Sequence, residues 1–192
     1  MIVMPKLILA SASPRRAEIL RAAGWSFEAL PANIDESRHG HEDAPTYVKR
    51  VARAKAEVVT PHVTGATVVG ADTVVVVDGE ILGKPRDEED ARRMLRLLQG
   101  RWHQVLTGVA VFNGKFGQPR VAHEVTEVRF AEMDEAEVGW YVATGEPMDK
   151  AGAYAIQGLG ARFIKGIKGD YSNVVGLPVR LLYELIMAEA RP

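Results

Sequence analysis

Cysteine is absent from the 192 residues, and that one absence excludes disulfides, thiolate catalysis and cysteine-ligated zinc together. No apolar run reaches the length of a membrane span, so no membrane partner is expected. Net charge is nearly absent too, because 24 Lys and Arg against 25 Asp and Glu leave −1. A chain with so little global field is not built to coat nucleic acid, and any phosphate it holds must be met by locally clustered cations. There is no internal repeat, no low-complexity tract and no long polar linker. Residues 1–6 carry no basic leader, long apolar stretch or cleavage site before the first strand, so a cytoplasmic location is expected. Disorder is excluded by a composition that is 47% apolar and 26% charged. What remains is a globular chain, long enough for one sizeable core or for one domain with two lobes.

The stretch Leu7-Ile8-Leu9-Ala10-Ser11-Ala12-Ser13-Pro14-Arg15-Arg16 reads as a short strand feeding a helix. Ser13 stands at the N-cap and Pro14 at the first helical position, and Gly24 closes the helix in the C′ position. Arg15 and Arg16 fall in the first turn, where the helix dipole disfavours cations, so an anion is expected to offset them. Two serine hydroxyls, backbone N–H groups and two guanidinium groups on one turn would cradle a phosphate. The competing reading is a solvated basic corner.

A second strand is expected over residues 25–34, interrupted at Pro31 and leading to Asp35-Glu36. The polar segment that follows is a loop. Its His39 and His41 are more simply read as solvated than as metal ligands. A helix is expected over residues 46–59, with Val48, Val51, Ala52 and Val59 on its apolar stripe. Lys55 falls on that stripe, where it either snorkels outward or presents a functional amine inward. The valine-rich run over 66–77 reads as a buried strand, and Asp78-Gly79 as a hairpin turn into Glu80-Ile81-Leu82. Asp72 interrupts that run. A buried carboxylate must be paired, metal-bound or placed at an active site, and Gly70 beside it permits close approach.

Gly79 to Lys84 is not a P-loop: three residues separate the glycines, and Pro85 stands where Ser or Thr is required. Lys84 can still reach a phosphate from a strand-end loop. A packing helix is expected over residues 87–98, closed by Gly100, then strands over 102–112 and 121–130 joined through an Asn113-Gly114 turn. Asp134 and Glu137 form a capping box opening a helix to about residue 142. Gly158-Leu159-Gly160 is not a dinucleotide fingerprint, since Phe163 occupies the place of the third glycine; the glycines instead shape a loop. A strand over 162–167, a turn over 168–173 and a helix over 178–190 complete a mixed-sheet α/β chain. Cations at Ser11–Arg16, Lys55 and Lys84, with carboxylates at Glu36 and Asp72, fit magnesium-assisted chemistry on a phosphoanhydride.

Several motifs, in order and over nearly the whole chain, resemble the Maf family of nucleoside triphosphate pyrophosphatases. They are Ser11-Ala12-Ser13-Pro14-Arg15-Arg16, Asp35-Glu36, Ala52-Arg53-Ala54-Lys55-Ala56, Gly70-Ala71-Asp72-Thr73 and Gly83-Lys84-Pro85. Further on come Asp149-Lys150-Ala151-Gly152-Ala153-Tyr154 with Ile156-Gln157-Gly158, and Asn173-Val174-Val175-Gly176-Leu177-Pro178. The resemblance implies a single Maf-like domain over 1–192, elongated and two-lobed, related to inosine triphosphate pyrophosphatases, with the nucleotide in a central cleft. It implies hydrolysis between the α and β phosphates, giving the monophosphate and pyrophosphate with a divalent cation, Mg2+ or Mn2+. Asp72 matches the family's proton acceptor. Ser11, Arg15, Arg16, Lys55 and Lys84 then clamp phosphate oxygens, Asp72 holds the metal, and Glu36 holds either the metal or the water.

Arg15, Thr73 and Gln157 match the dTTP/UTP subgroup at positions associated with base choice, which implies action on dTTP, UTP and modified pyrimidine nucleotides. Two alternatives stand beside it: a 7-methyl-GTP type of pyrophosphatase, and a non-catalytic nucleotide-binding regulator of septum formation. A nucleoside triphosphate is the partner implied; no nucleic acid and no membrane partner is expected, and a homodimer is left open.

Overall fold

The computed structural model describes residues 5–113 and 118–188. Its seven strands form one mixed sheet in the order β2-β1-β3-β5-β6-β7, with β4 pairing β3 off that path. The mixed-sheet α/β class expected from sequence is the one observed. The strands are β1 (Leu7–Leu9), β2 (Phe27–Ala29), β3 (Thr67–Val77), β4 (Glu80–Leu82), β5 (Trp102–Asn113), β6 (Arg120–Phe130) and β7 (Ile164–Lys168). The helices are α1 (Pro14–Ala22), α2 (Ala44–Val59), α3 (Glu88–Leu98), α4 (Glu135–Ala143), α5 (Tyr171–Val175) and α6 (Val179–Met187). No helix among the described residues is long and apolar enough to cross a membrane.

The chain divides into two compact units. The first comprises residues 1–72, 107–124 and 176–192, the second 73–106 and 125–175. In the first unit, side-chain alternation along the strands decides which layer each residue enters. Leu7, Leu9, Val69, Ala71, Val109 and Val111 pack with α1 and α6 through Ala17, Leu20, Leu182 and Ile186. The intervening residues Ile8, Ala10, Val68 and Ala110 pack on the other face, against Ala52, Ala56 and Val59 of α2. β1 runs parallel to β2 and β3, with Leu7 opposite Phe27 and Thr67. In the second unit, the Asp78-Gly79 turn has positive φ at both positions, as a two-residue hairpin requires, and it returns the chain from β3 into β4. There α3 packs on α4, whose N-terminus carries the expected Asp134/Glu137 capping box.

Four expectations are adjusted. The second strand covers only Phe27–Ala29, not 25–34, because its partner β1 is three residues long, the Trp25 side chain turns into the core and Pro31 has no N–H to donate. Helix α2 starts at Ala44 rather than Thr46, since the Asp43 carboxylate accepts the Thr46 N–H at 2.8 Å. The turn expected over 168–173 contains the start of α5; Asp170 Oδ1 accepts the Ser172 N–H at 2.7 Å and so nucleates the helix. Strand β7 begins two residues late, at Ile164, after a 3-10 turn over Leu159–Phe163. Of the Asn113-Gly114 turn, Asn113 ends β5 and Gly114 lies outside the described residues, as do residues 1–4 and the last two residues of the helix expected over 178–190.

Candidate active site

The site begins where β1 stops. Ala10 N–H still donates to the Val69 carbonyl at 2.8 Å, and the chain then turns through Ser11 into α1 while β3 continues to Asp72 and beyond. This is the carboxyl end of parallel strands, the usual place for ligand sites in α/β sheets.

Alternation on β3 sends Val68, Gly70 and Asp72 to the α2 face. A Cβ on Gly70 would lie 2.1 Å from the Ala52 carbonyl oxygen. Only glycine allows helix and strand this close. The same close approach brings Lys55, one turn along α2 from Ala52, over Asp72. Lys55 Nζ donates to Asp72 Oδ1 at 2.8 Å and lies 3.0 Å from Glu36 Oε1. Lys55 and Asp72 are buried, at 7% and 6% exposure, whereas Glu36 is half exposed. The lysine expected on the apolar stripe therefore points inward.

Burial pushes the Asp72 carboxyl above its ordinary range, opposed by the charges of Lys55 and Arg16 and by the Lys55 hydrogen bond. Burial likewise lowers Arg16, while Asp72 raises it, the neighbouring Arg15 lowers it and Glu36 raises it. The Arg16 guanidinium is fixed inside the protein. Its Nε donates to the Gly176 carbonyl at 2.8 Å and its Nη1 to Ser11 Oγ at 3.0 Å. Ser11 Oγ also accepts the Ser13 N–H at 3.2 Å. Ser13 occupies the N-cap position, as expected, but its side chain makes no capping hydrogen bond. The anion expected to offset the first-turn arginines is, for Arg16, in part the protein's own Asp72.

Two residues missed in the sequence, Tyr47 and Arg50, hold Glu36 in place. Tyr47 OH donates to the Glu36 carbonyl at 2.8 Å. Burial, with the nearby charges of Asp72 and Glu36, pushes the Tyr47 phenol up to about 12. Arg50 lies over the Tyr47 ring at 5.5 Å, clamps Glu42 with two bonds of 2.8 and 2.9 Å and donates to the Ser37 carbonyl at 2.9 Å. Asp35 folds the loop locally by accepting the Ser37 N–H and hydroxyl. The available signal was the spacing of Tyr47 and Arg50, one turn apart on α2. His39 and His41 are exposed on this loop, and among the described residues no group of three or more His, Cys, Asp or Glu could hold a metal ion.

Ser11, Arg16, Glu36, Lys55 and Asp72 thus form one network, with Arg15 beside Arg16. Thr73 follows Asp72 on β3 and is the first residue of the second unit; Lys84 and Gln157 belong to that unit as well. Lys84 is exposed just after β4, in the strand-end loop expected for it, and the Gly83 carbonyl accepts the Gly152 N–H at 3.0 Å. Gln157 is half-buried in the glycine-punctuated loop before the Leu159–Phe163 turn.

Asp72 and Glu36 aim hard oxygen donors at one point, the Lys55 ammonium. Two carboxylates are the protein's share of a Mg2+-type site when water and substrate phosphates supply the rest, so this donor set fits such an ion.

Comparison with known proteins extends these observations. A family profile described as Maf-like protein matches residues 6–189. The chain is 54% identical over 190 residues to a dTTP/UTP pyrophosphatase of Anaeromyxobacter sp. (strain Fw109-5), covering 97% of this chain and 91% of that one. It is 53% identical over 184 residues to a dTTP/UTP pyrophosphatase of Symbiobacterium thermophilum, covering 95% and 93%. The solved structure of the Staphylococcus aureus Ham1 protein aligns with a TM-score of 0.54 over 96% of this chain and 99% of that one. Its sequence identity is 14%, a likeness of fold alone. Matched by the profile over residues 6–189 and sharing more than half its residues with these relatives over nearly its whole length, the chain belongs to the Maf family.

Proposed function

We propose that this protein is a nucleoside triphosphate pyrophosphatase that hydrolyses the α–β phosphoanhydride of dTTP and UTP to the monophosphate and pyrophosphate. The observation that carries the reading is the buried Asp72, paired with Lys55 at 2.8 Å and raised in pKa by burial. A carboxylate pushed above its ordinary range is a better general base than a solvated one. In the reaction, water adds to the α phosphorus, its proton passes to Asp72, the bond from the α phosphorus to the bridging oxygen breaks, and pyrophosphate leaves with the electron pair.

Lys55 holds one oxygen of Asp72, which orients the carboxylate. Lys55, with Ser11, Arg15, Arg16 and Lys84, is assigned to the phosphate oxygens and to the charge that develops on them. Asp72 and Glu36 would hold the divalent cation, Mg2+ or Mn2+, which when bound polarises phosphoryl oxygens and lowers the pKa of water. Arg15, Thr73 and Gln157 are assigned to base selection, and residues 1–192 act as one functional domain. The dTTP/UTP choice is supported by the names of relatives at 54% and 53% identity.

The test is a nucleotide panel with Mg2+ or Mn2+, scored by pyrophosphate release from dTTP, UTP and 7-methyl-GTP. Release from dTTP and UTP is expected, with Asp72→Asn retaining nucleotide binding while kcat falls by about 10²-fold or more. Preferential turnover of 7-methyl-GTP would move the protein to the other pyrophosphatase type. Binding without turnover of any nucleotide would make it a regulator, and unchanged kcat in Asp72→Asn would remove Asp72 as the base.

A further inference from the structure

The loop that carries Gln157 has almost no regular structure of its own. It runs from Tyr154 through Ala155 and Ile156 to Gly158, then enters the short 3-10 turn over Leu159–Phe163. Backbone of this kind needs its polar groups satisfied from elsewhere. Here the supply comes from two side chains in and just after α4.

The carboxylate of Glu146 accepts the Leu159 N–H on Oε2 at 2.9 Å and the Gly160 N–H on Oε1 at 2.9 Å. The Tyr141 hydroxyl donates to Glu146 Oε1 at 2.8 Å and accepts the Ala155 N–H at 3.1 Å. Gln157 is therefore bracketed, with Ala155 tied down before it and Leu159 and Gly160 after it. Burial works against the Glu146 charge, yet the Leu159 and Gly160 N–H groups and the Tyr141 hydroxyl hold this carboxyl below its ordinary range.

The glycines follow from this packing. Gly158 has φ +84, and a Cβ there would lie 2.6 Å from Glu146 Oε2. A Cβ on Gly160 would lie 2.5 Å from both the Ala155 carbonyl and the Tyr141 hydroxyl. The Gly158-Leu159-Gly160 pattern is thus the imprint of a loop pressed against Glu146 and Tyr141. Glu146 itself is fixed from behind, because the Thr144 hydroxyl accepts its N–H at 3.2 Å and Lys150 Nζ donates to its carbonyl at 3.2 Å.

We infer that Glu146 and Tyr141 are positioning residues for base selection: together they set the place of Gln157, and through it the discrimination between pyrimidine bases. This rests on the assignment of Gln157 to base selection made above. The chemistry is that of an amide reading an imide edge. The side-chain carbonyl and NH2 of a glutamine complement the N3–H and O4 of uracil or thymine, whereas cytosine offers the reverse pattern. A hydrogen-bonding site discriminates only if its groups are held where the correct base meets them and the wrong one leaves them unpaired.

The experiment compares kcat and KM for dTTP and dCTP in the wild type, Glu146→Gln, Tyr141→Phe and Gln157→Ala. An amide in place of the Glu146 carboxylate sets a donor against a donor at one of its three contacts. Tyr141→Phe keeps the ring and loses only the hydroxyl, so it serves where Glu146→Gln does not fold. The expected result is a fall of about 10-fold in the dTTP/dCTP ratio of kcat/KM in both, seen mainly in KM for dTTP, with kcat within about twofold of wild type. A parallel fall for both nucleotides, with the ratio kept, would mean that the pair only stabilises the fold and would overturn the inference. If Gln157→Ala lowers the ratio and neither other variant does, the positioning inference alone fails. If Gln157→Ala leaves the ratio unchanged, the base-selection assignment fails and the inference falls with it.

Discussion

Lys55 Nζ lies 2.8 Å from Asp72 Oδ1, a pair formed across 17 residues of chain and buried on both sides. A lone buried ammonium or a lone buried carboxylate is costly, and each makes the other tolerable. The pair also shows that Lys55, on the apolar stripe of its helix, points inward and does not snorkel out.

Removing the lysine exposes that dependence. Lys55→Met should cost about 3 kcal/mol of folding stability at neutral pH, because Asp72 is left charged and buried without its partner. The loss should shrink in acid, where a protonated Asp72 no longer needs an ammonium. Urea unfolding of wild type and variant in metal-free buffer at two pH values measures both effects.

The closeness of α2 to β3 makes Gly70 the most sensitive small residue near the site. An alanine there would place its Cβ 2.1 Å from the Ala52 carbonyl and 2.9 Å from the Ala56 nitrogen. Both are backbone atoms, so the whole helix must move. Gly70→Ala should lose about 3 kcal/mol or more, together with pyrophosphate release, because the shift carries Lys55 off Asp72. Thermal unfolding and a hydrolysis assay on the same preparation check this.

The two arginines of the α1 first turn should separate. Arg16 is bonded to Gly176 and Ser11 inside the protein, so Arg16→Ala should lower both the melting temperature and kcat. Arg15 is half-buried at the same turn. Arg15→Ala should lower the melting temperature less than Arg16→Ala does and raise KM for dTTP. Equal melting losses in the two variants would refute the separation.

Acid sensitivity should come in part from the second unit, far in sequence from Asp72. His103 is buried with its Nε2 2.8 Å from the Tyr154 hydroxyl, and its Nδ1 has no hydrogen-bond partner among the described residues. Its ring meets those of Phe130 and Tyr154 edge-on. Burial lowers the imidazole from 6.5 to about 4. A depressed folded pKa means that the unfolded chain binds the proton first. The stability from neutral His103 is therefore complete above pH 6.5 and is lost as pH falls toward about 4. At about 1.4 kcal/mol per pH unit that amounts to about 3 kcal/mol. His103→Phe should flatten this limb in a pH series of urea melts, after an initial cost for the Tyr154 hydroxyl.

Much of this protein follows from the sequence by itself, because the relevant physics is local or periodic. The Ser13-Pro14 start of α1, the Asp78-Gly79 hairpin and the Asp134/Glu137 capping box are decided within a few residues. The place of Lys55 on the apolar stripe of its helix follows from helical periodicity, its inward direction only from the packing, and the unusual position of Asp72 from one carboxylate in a valine run. What only the tertiary structure decided are the partners. Arg16 is held by a carbonyl 160 residues away, and Glu36 reaches Lys55 because Tyr47 and Arg50 anchor its loop. The Gln157 loop takes its shape from Glu146 and Tyr141. Local sequence states which groups are costly to bury; which other segment satisfies them depends on chain paths that meet only when the layers pack.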